Sequence, residues 1–420
     1  MTQPYKYIRY VMWLIPLAFF MYQFILRLWP GLMMQQILTQ FSIDASGFGL
    51  ISAFYYYGYA GMQIPVALLL ERFSARTVIF FFACLCGLAT LLFTYSTHLY
   101  LACLGRFLVG AGSAVGFLGV SKVISEWFPV LSYTRMVGFS FSIGLLGAIY
   151  GGKPISMLTE SYPWQNIALV LVFASIAIGC LAYGVLRSPA HQKNPVVNQE
   201  TFRLSDFKRI LARPELWLLA VANLLMVGAL EGFSDVWGVP YLMTAYAISK
   251  NNAAQLISCL FLGMLFGGPL LAWLSKRLGH HAVIALCGFG LCLAFIILLW
   301  SPHYNGLLLS SLFFSVGLLC CYQVIVFAAG AHFVAAHYLG MTIAFLNCVN
   351  MLGGSFFHTI IGRLMDTFWN GAVNAEGIRQ YSLSAFQMSL LIIPVSACLG
   401  ALIVCVLWVR EYRKNKVLSG

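Results

Sequence analysis

Charged side chains are scarce in this 420-residue chain. Asp, Glu, Lys and Arg make up 9% of the residues, against about a quarter in soluble domains, whereas hydrophobic residues make up 61%. A soluble fold cannot cover that much apolar surface, so lipid has to surround it. The apolar residues form long continuous runs rather than short alternating segments, which favours helices over a transmembrane barrel. The composition therefore predicts an all-α integral membrane protein.

Sequence signatures of several kinds of site are also missing. The 12 cysteines lie inside apolar runs and form no C-x-x-C pair, which is typical of small buried side chains rather than disulfides or metal ligands. The sequence contains no G-x-x-x-x-G-K-[ST] phosphate-binding motif and no clustered nucleophile and base. We therefore expect no cofactor, no metal and no enzymatic activity.

Twelve apolar runs are present, each close to the roughly 20 residues that a helix needs to cross a bilayer; the fourth covers residues 99–123 and the ninth residues 282–300. The one long interior segment that is polar covers residues 187–213. It carries six Lys or Arg, and its end at 204–212 is compatible with a short helix. This segment predicts a basic linker between a first bundle of six helices, residues 1–186, and a second bundle of six, residues 214–420.

The positive charges predict the orientation. The net charge is +12, and most Lys and Arg residues lie in short loops on one side of the predicted spans. Only Lys250, Arg363 and Arg379 lie on the other side, which we call the outer side. Because basic loops stay in the cytoplasm, both termini and the linker are predicted to be cytoplasmic. The first run is too long for a cleaved signal. We expect a multi-pass, monomeric protein of a bacterial inner membrane that does not bind nucleic acid.

The two halves repeat at a constant offset. Residues 50–52 (LIS) recur at 256–258, and Gly112 and Gly147 have counterparts at Gly317 and Gly353, each 205 or 206 positions further along. Two parallel six-helix repeats related by a pseudo-two-fold axis along the membrane normal are an architecture of secondary transporters.

Two motifs resemble those of one transporter family, and two further segments resemble a group of carriers. Residues 67–76 (ALLLERFSAR) are similar to the loop motif G-x-x-x-D-R-x-G-R-R of the major facilitator superfamily, with Glu71 in place of Asp. Residues 106–112 (RFLVGAG) resemble its arginine-and-glycine motif. Residues 54–57 (FYYY) and 237–241 (WGVPY) are similar to bacterial nutrient and organic-solute carriers. The fifth predicted span, 136–158, is rich in glycine but lacks the Gly-Pro order of the antiporter motif.

The resemblance implies a central cavity lined by spans 1, 4, 7 and 10, and the rare charges within those spans are candidate site residues. Charges inside a bilayer are costly and usually functional. Arg27 and Arg106 are predicted to bind an anionic group of the substrate and to face Glu231 across the cavity. Glu231 and Asp235, one turn apart, are predicted to take up protons. The alternatives are that Arg27 and Glu231 only pair structurally, that Arg27 snorkels, or that Asp235 is a solvated gate residue.

Further candidates are polar or lie in a charged turn. Tyr56, Gln63, Gln323 and Asn347 are predicted to contact substrate, although interhelical hydrogen bonding explains deep amides equally simply. Glu71, Arg72 and Arg76 are predicted to gate the cytoplasmic side, unless they are only determinants of topology.

The resulting hypothesis is a secondary active transporter. Two bundles rocking around a central site would import a small organic solute by alternating access, coupled to protons. The substrate would be an amino acid, a peptide or an organic acid, and the lipid bilayer the only other partner. The alternatives are export of an amphipathic compound and a membrane sensor that does not transport.

Overall fold

The computed structural model describes residues 3–187, 210–301, 305–335 and 338–418. Most of the predicted linker, including most of its helix-compatible end, lies outside these residues. The described chain is helical apart from short connections and one antiparallel bridge between Val373 and Arg379. Contacts divide the chain into two compact units, Met1–Ser42 with Leu50–Gln199 and Ile43–Gly49 with Glu200–Gly420.

The first unit contains nine helices among its described residues, and the third of them begins in the segment grouped with the second unit. Their bounds are α1 Gln3–Leu32, α2 Met34–Phe41, α3 Ala45–Arg72, α4 Ala75–Tyr95, α5 Leu99–Ser113, α6 Val115–Trp127, α7 Val130–Gly151, α8 Lys153–Ser161 and α9 Trp164–Val185. Helix α1 packs on α6 and α7, and α4 packs on α5 and α9. A cluster of Trp29, Phe93 and Trp164 joins three of the spans, and the Tyr22 hydroxyl donates to the Leu171 carbonyl at 2.6 Å.

The second unit contains nine further α-helices among its described residues. Their bounds are α10 Pro214–Met226, α11 Gly238–Tyr246, α12 Lys250–Leu278, α13 His280–Trp300, α14 Gly306–Cys320, α15 Tyr322–Ala331, α16 Leu339–Thr367, α17 Leu383–Leu390 and α18 Ile392–Leu418. A 3-10 turn, Val227–Ala229, and a π-helix, Leu230–Trp237, connect α10 to α11. Helix α10 packs on α16 and α18, and α12 packs on α14.

The predicted helical membrane fold is confirmed. Ten helical stretches of the described chain are long and apolar enough to cross a membrane, and the bent pair α2 and α3, which meet at 108°, makes eleven. The remaining predicted span corresponds to α7. It was expected to be continuous over 136–158, but the helix breaks at Gly152, which precedes the Lys153-Pro154 pair. Proline lacks the backbone N–H that a continuing helix needs and disfavours helical geometry in the residue before it.

Candidate functional site

Arg106 lies deep inside the first unit. Its side chain is 2% exposed, its Nη1 donates to the carbonyl of Leu26 on α1 at 2.9 Å, and its guanidinium lies 4.8 Å from the ring centre of Tyr55 on α3. The backbone acceptor and the aromatic face both offset the cost of burying a charge, and together they fix the orientation of the guanidinium. Arg106 is therefore a rigid cation held between three spans.

Arg27 lies beside the same aromatic cluster. It is half-buried on α1, and its guanidinium lies 5.4 Å from the ring centre of Phe24 and 5.9 Å from that of Tyr56. Arg27 and Arg106 are both within electrostatic range of the Tyr55 hydroxyl. The first unit thus brings together three predicted site residues, the two arginines and Tyr56, and adds Tyr55, which the prediction had not singled out.

Two glycines allow α3 and α5 to approach closely at this cluster. A Cβ atom on Gly110 would lie 1.9 Å from the Tyr55 carbonyl oxygen, and one on Gly58 would lie 2.0 Å from the carbonyl oxygen of Phe107. These obstacles are backbone atoms, so no side-chain rotation can relieve them. The approach places the Tyr55 ring against Arg106.

We expect Gly110→Ala to destabilise the first unit by about 1–3 kcal/mol, because the methyl group overpacks this contact. The measurement is thermal unfolding in detergent followed by a thiol-reactive dye. Gly61→Ala on the same α3 is the control, since nothing lies within 4 Å of its Cβ position. Equal unfolding temperatures for the two variants would contradict the close approach.

Gln63 lies further along α3. It is buried, and its Nε2 has no hydrogen-bond partner among the residues that the structure describes.

The two predicted coupling acids lie in the π-helix of the second unit. Glu231 is 1% exposed and Asp235 is 3% exposed, and all eight residues of the π-helix are buried. The Ser234 hydroxyl donates to the Ala229 carbonyl at 2.8 Å. Single π-turns are frequent at functional sites because they disturb regular backbone pairing.

Aromatic packing holds the π-helix in place. The ring of Phe233, between the two acids, contacts Phe295, Phe313 and Tyr241. Glu231 lies within electrostatic range of Tyr322. The sequence placed both acids on one face of one span, but the π-helix and its aromatic support were not predicted.

The amide side chains of the second unit that are predicted to contact substrate lie on α15 and α16. Gln323 accepts a hydrogen bond from Asn350 Nδ2 at 3.3 Å, so these two form an interhelical contact. Asn347 is half-buried one turn before Asn350. No group of three or more His, Cys, Asp or Glu in the described chain could hold a metal ion.

The predicted cytoplasmic gate residues are on the surface. Glu71, Arg72 and Arg76 are all exposed, and the guanidinium of Arg76 lies over the ring of Tyr183 at 5.3 Å. Their role as a gate stays a prediction.

Asp366, at the end of α16, lies at the centre of a cluster of charged and polar residues that was not predicted from the sequence. Its carboxylate accepts hydrogen bonds from the Ser46 backbone N–H at 2.8 Å, from the Ser46 hydroxyl, and from the Tyr381 hydroxyl at 2.5 Å. Arg379 donates to it at 3.0 Å. Burial, together with the hydrogen bond to Asp366, raises the pKa of Tyr381, so its phenol stays protonated as a donor.

The same cluster holds the start of α3. Tyr381 accepts the Ala45 backbone N–H at 2.8 Å, and Arg379 lies 3.6 Å from the Asp44 carboxylate. Asp44 caps α3 by accepting the Gly47 N–H at 2.9 Å. This outer cluster, as we call Asp44, Ser46, Asp366, Arg379 and Tyr381, explains why Ile43–Gly49 groups with the second unit. Arg379 could have been identified from the sequence as a candidate for an ion pair, because few basic residues lie on the predicted outer side.

Comparison with known proteins assigns the chain to a family. The model of the Major Facilitator Superfamily matches residues 12–358 and 224–420. The chain belongs to this superfamily. A solved bacterial homologue of the human lysosomal transporter Spinster, in an inward-facing and occupied conformation, has the same fold, with a TM-score of 0.74 at 15% identity over 97% of each chain.

Two curated relatives are transporters by name. The probable galactarate/D-glucarate transporter GudP of Escherichia coli is 22% identical over 280 residues, 58% of this chain and 61% of GudP. Vesicular glutamate transporter 1 of Xenopus laevis is 21% identical over 365 residues, 78% of this chain and 61% of that protein. The matches thus span about three fifths of the length of these relatives.

Proposed function

We propose that this chain is a secondary active transporter of a small organic solute that carries a carboxylate. Membership of the superfamily supports transport by alternating access. The observation that carries the substrate class is the pair of arginines, Arg27 and Arg106, set beside aromatic rings within one unit. Names of two relatives, which specify galactarate, D-glucarate and glutamate, agree with an anionic substrate.

The arginine pair suits a carboxylate for two physical reasons. A guanidinium stays charged in a poorly solvated environment, and its planar fork matches the two oxygens of a carboxylate. The contact between Arg106 and the Leu26 carbonyl orients that fork before substrate arrives, which lowers the entropy cost of binding. Tyr56, beside Arg27, would contact the same substrate, and Gln63 on the same helix would bind its neutral polar groups. A role of Gln323 and Asn347 in substrate binding stays a prediction.

The transport cycle would be proton-coupled import. Glu231 and Asp235 are carboxyl groups buried within a membrane span, and carboxyl groups in such positions form the proton relays of many transporters. Each can therefore gain and lose a proton as its exposure to water changes during the cycle. The protein would sit in the bacterial inner membrane as a monomer with both termini in the cytoplasm.

Two charged groups of residues would close the pathway alternately. The outer cluster around Asp366 ties the start of α3 to the end of α16 and would have to open before substrate enters. The exposed turn with Glu71, Arg72 and Arg76 would serve the cytoplasmic side.

The substrate class can be tested with matched ligand pairs. The purified protein would be screened by thermal shift against succinate, L-glutamate, D-glucarate and galactarate, and against the diamide of each acid, in which no carboxylate remains. We expect at least one carboxylate to stabilise the protein and its amide to have little effect, with the stabilisation reduced in Arg27→Gln. Equal effects of acids and amides would overturn the proposal.

We expect Glu231→Gln to uncouple transport from protons, because the amide cannot take up a proton at neutral pH. In proteoliposomes with the stabilising carboxylate, a gradient of one pH unit would drive about tenfold accumulation per coupled proton in the wild type and none in the variant, while exchange of preloaded substrate persists. Glu215→Gln, at the start of the same span, is the control. Accumulation by Glu231→Gln at the level of the wild type would exclude this coupling role.

A further inference from the structure

The side chain of Asn223 on α10 is buried without satisfying its hydrogen-bonding groups. It is 0% exposed, and neither its Oδ1 nor its Nδ2 has a partner among the described residues. The backbone carbonyl of Asn223 is satisfied, since the Tyr322 hydroxyl donates to it at 3.1 Å. An amide with both polar atoms unsatisfied inside a membrane-embedded bundle is strongly unfavourable, because lipid cannot replace the lost hydrogen bonds.

Two more amides carry unsatisfied atoms on the neighbouring helices. Asn350 is 0% exposed and uses its Nδ2 to bind Gln323, but its Oδ1 has no partner in the described chain. The Nε2 of Gln323 likewise lacks one. The pair therefore offers one further acceptor and one further donor.

Backbone contacts place these amides at one level of the second unit. Tyr322, which binds the Asn223 carbonyl, directly precedes Gln323 in the chain. On the other side, the carbonyl of Leu224 lies 3.0 Å from the Cβ position of Gly353, one turn after Asn350. These contacts, and the packing of α10, α15 and α16 on one another, are the basis for assigning the three amides to one site.

The unsatisfied atoms match the hydrogen bonds of water. They comprise the amide groups of Asn223 and Gln323 as donors and the oxygens of Asn223 and Asn350 as acceptors, and none is charged. A water molecule donates two hydrogen bonds and accepts two, and buried waters typically make about three with such groups. A cation would need more oxygen ligands and a compensating negative charge.

We propose that Asn223, Gln323 and Asn350 form an internal water-binding site inside the second unit. The site shares Gln323 with the predicted substrate contacts, but its test needs no substrate. Water at this site links Asn223 on α10 to the pair Gln323 and Asn350, which already bind each other directly between α15 and α16. The Tyr322 hydroxyl binds the Asn223 carbonyl, and Tyr322 also lies within electrostatic range of Glu231. A water bound at this site therefore adds a polar group near Glu231.

The site can be tested by hydroxyl-radical footprinting of the full-length protein in lipid nanodiscs. Radiolysis of bound water modifies the side chains next to it, even when bulk solvent cannot reach them. Tyr241 is a matched control, since it is 1% exposed and its hydroxyl also donates to a backbone carbonyl, that of Leu298 at 2.9 Å. We expect Tyr322 to be modified at least fivefold faster than Tyr241.

Two variants test whether the modification of Tyr322 depends on the amide side chains. Asn223→Leu and Asn350→Leu should each bring the modification rate of Tyr322 down to that of Tyr241, whose own rate stays unchanged. Equal rates for the two tyrosines in the wild type would overturn the proposal, whether or not the variants fold. Fast labelling of Tyr322 that persists in both variants would also overturn it, because the water would then be bound by other groups.

Discussion

Replacing Arg106 with alanine should weaken binding of the carboxylate substrate by about 100-fold. A pair of charge-assisted hydrogen bonds contributes about 3 kcal/mol, and each 1.4 kcal/mol changes a dissociation constant tenfold. The effect is large because Arg106 is 2% exposed, and the attraction between two charges is strongest where little water screens it. The measurement is isothermal titration of the purified protein with the carboxylate that stabilises it.

Two further variants separate charge from geometry. Arg106→Lys keeps the charge but loses the planar fork that reaches the Leu26 carbonyl, so we expect an intermediate loss. Arg135→Ala, an exposed arginine on α7, should bind as the wild type does. If Arg106→Ala bound the carboxylate with unchanged affinity while remaining folded, the anion-binding role of the arginine pair would be wrong.

Replacing Gly49 with tryptophan should abolish uptake by keeping the start of α3 away from α16. The two backbones are in direct contact there. A Cβ atom on Gly49 would lie 2.2 Å from the His358 carbonyl oxygen, and one on Gly362 would lie 2.5 Å from the carbonyl oxygen of Ala45. An indole at Gly49 would therefore break the hydrogen bonds that Ala45 and Ser46 donate to the outer cluster.

Hydrogen exchange followed by mass spectrometry measures directly whether the start of α3 has separated from α16. We expect the amides of residues 43–49 to exchange at least tenfold faster in Gly49→Trp than in the wild type, because their acceptors on Tyr381 and Asp366 are lost. Gly61→Trp introduces the same side chain on α3 where nothing lies within 4 Å of the Cβ position, and it should leave both exchange and uptake unchanged. Unaltered protection in Gly49→Trp would show that this contact does not close the outer side.

Much of the fold was predictable because membrane insertion depends on local properties of the chain. The predicted bounds of the fourth span, 99–123, fall within the observed stretch Leu99–Trp127, and those of the ninth, 282–300, within His280–Trp300. A run of apolar residues has to become a helix in lipid, since no other solvent satisfies its backbone. The break at Gly152 was missed because a proline does not by itself mark the end of a membrane helix: Pro16, Pro65 and Pro269 lie inside continuous helices of this chain.

The candidate site was predictable only in part. Arg27, Arg106 and Glu231 stand out because ionised groups are rare in apolar runs, and this rarity needs no structure to detect. The side chains that surround them could not be predicted from the sequence. Tyr55 and Tyr56 are consecutive aromatic residues in one helix, and only the packing of α3 on α5 through Gly58 and Gly110 decides that Tyr55 lies against Arg106.

The sequence by itself determined that this protein is a helical membrane protein of two repeated halves with a few rare internal charges, because hydropathy, charge and repeat spacing are properties of the linear chain. Only the tertiary structure decided which polar groups meet. Ser46 binds Asp366, and Tyr322 binds the carbonyl of Asn223. These partners are far apart in sequence, so no local pattern encodes their contact; the packing of whole helices brings them together.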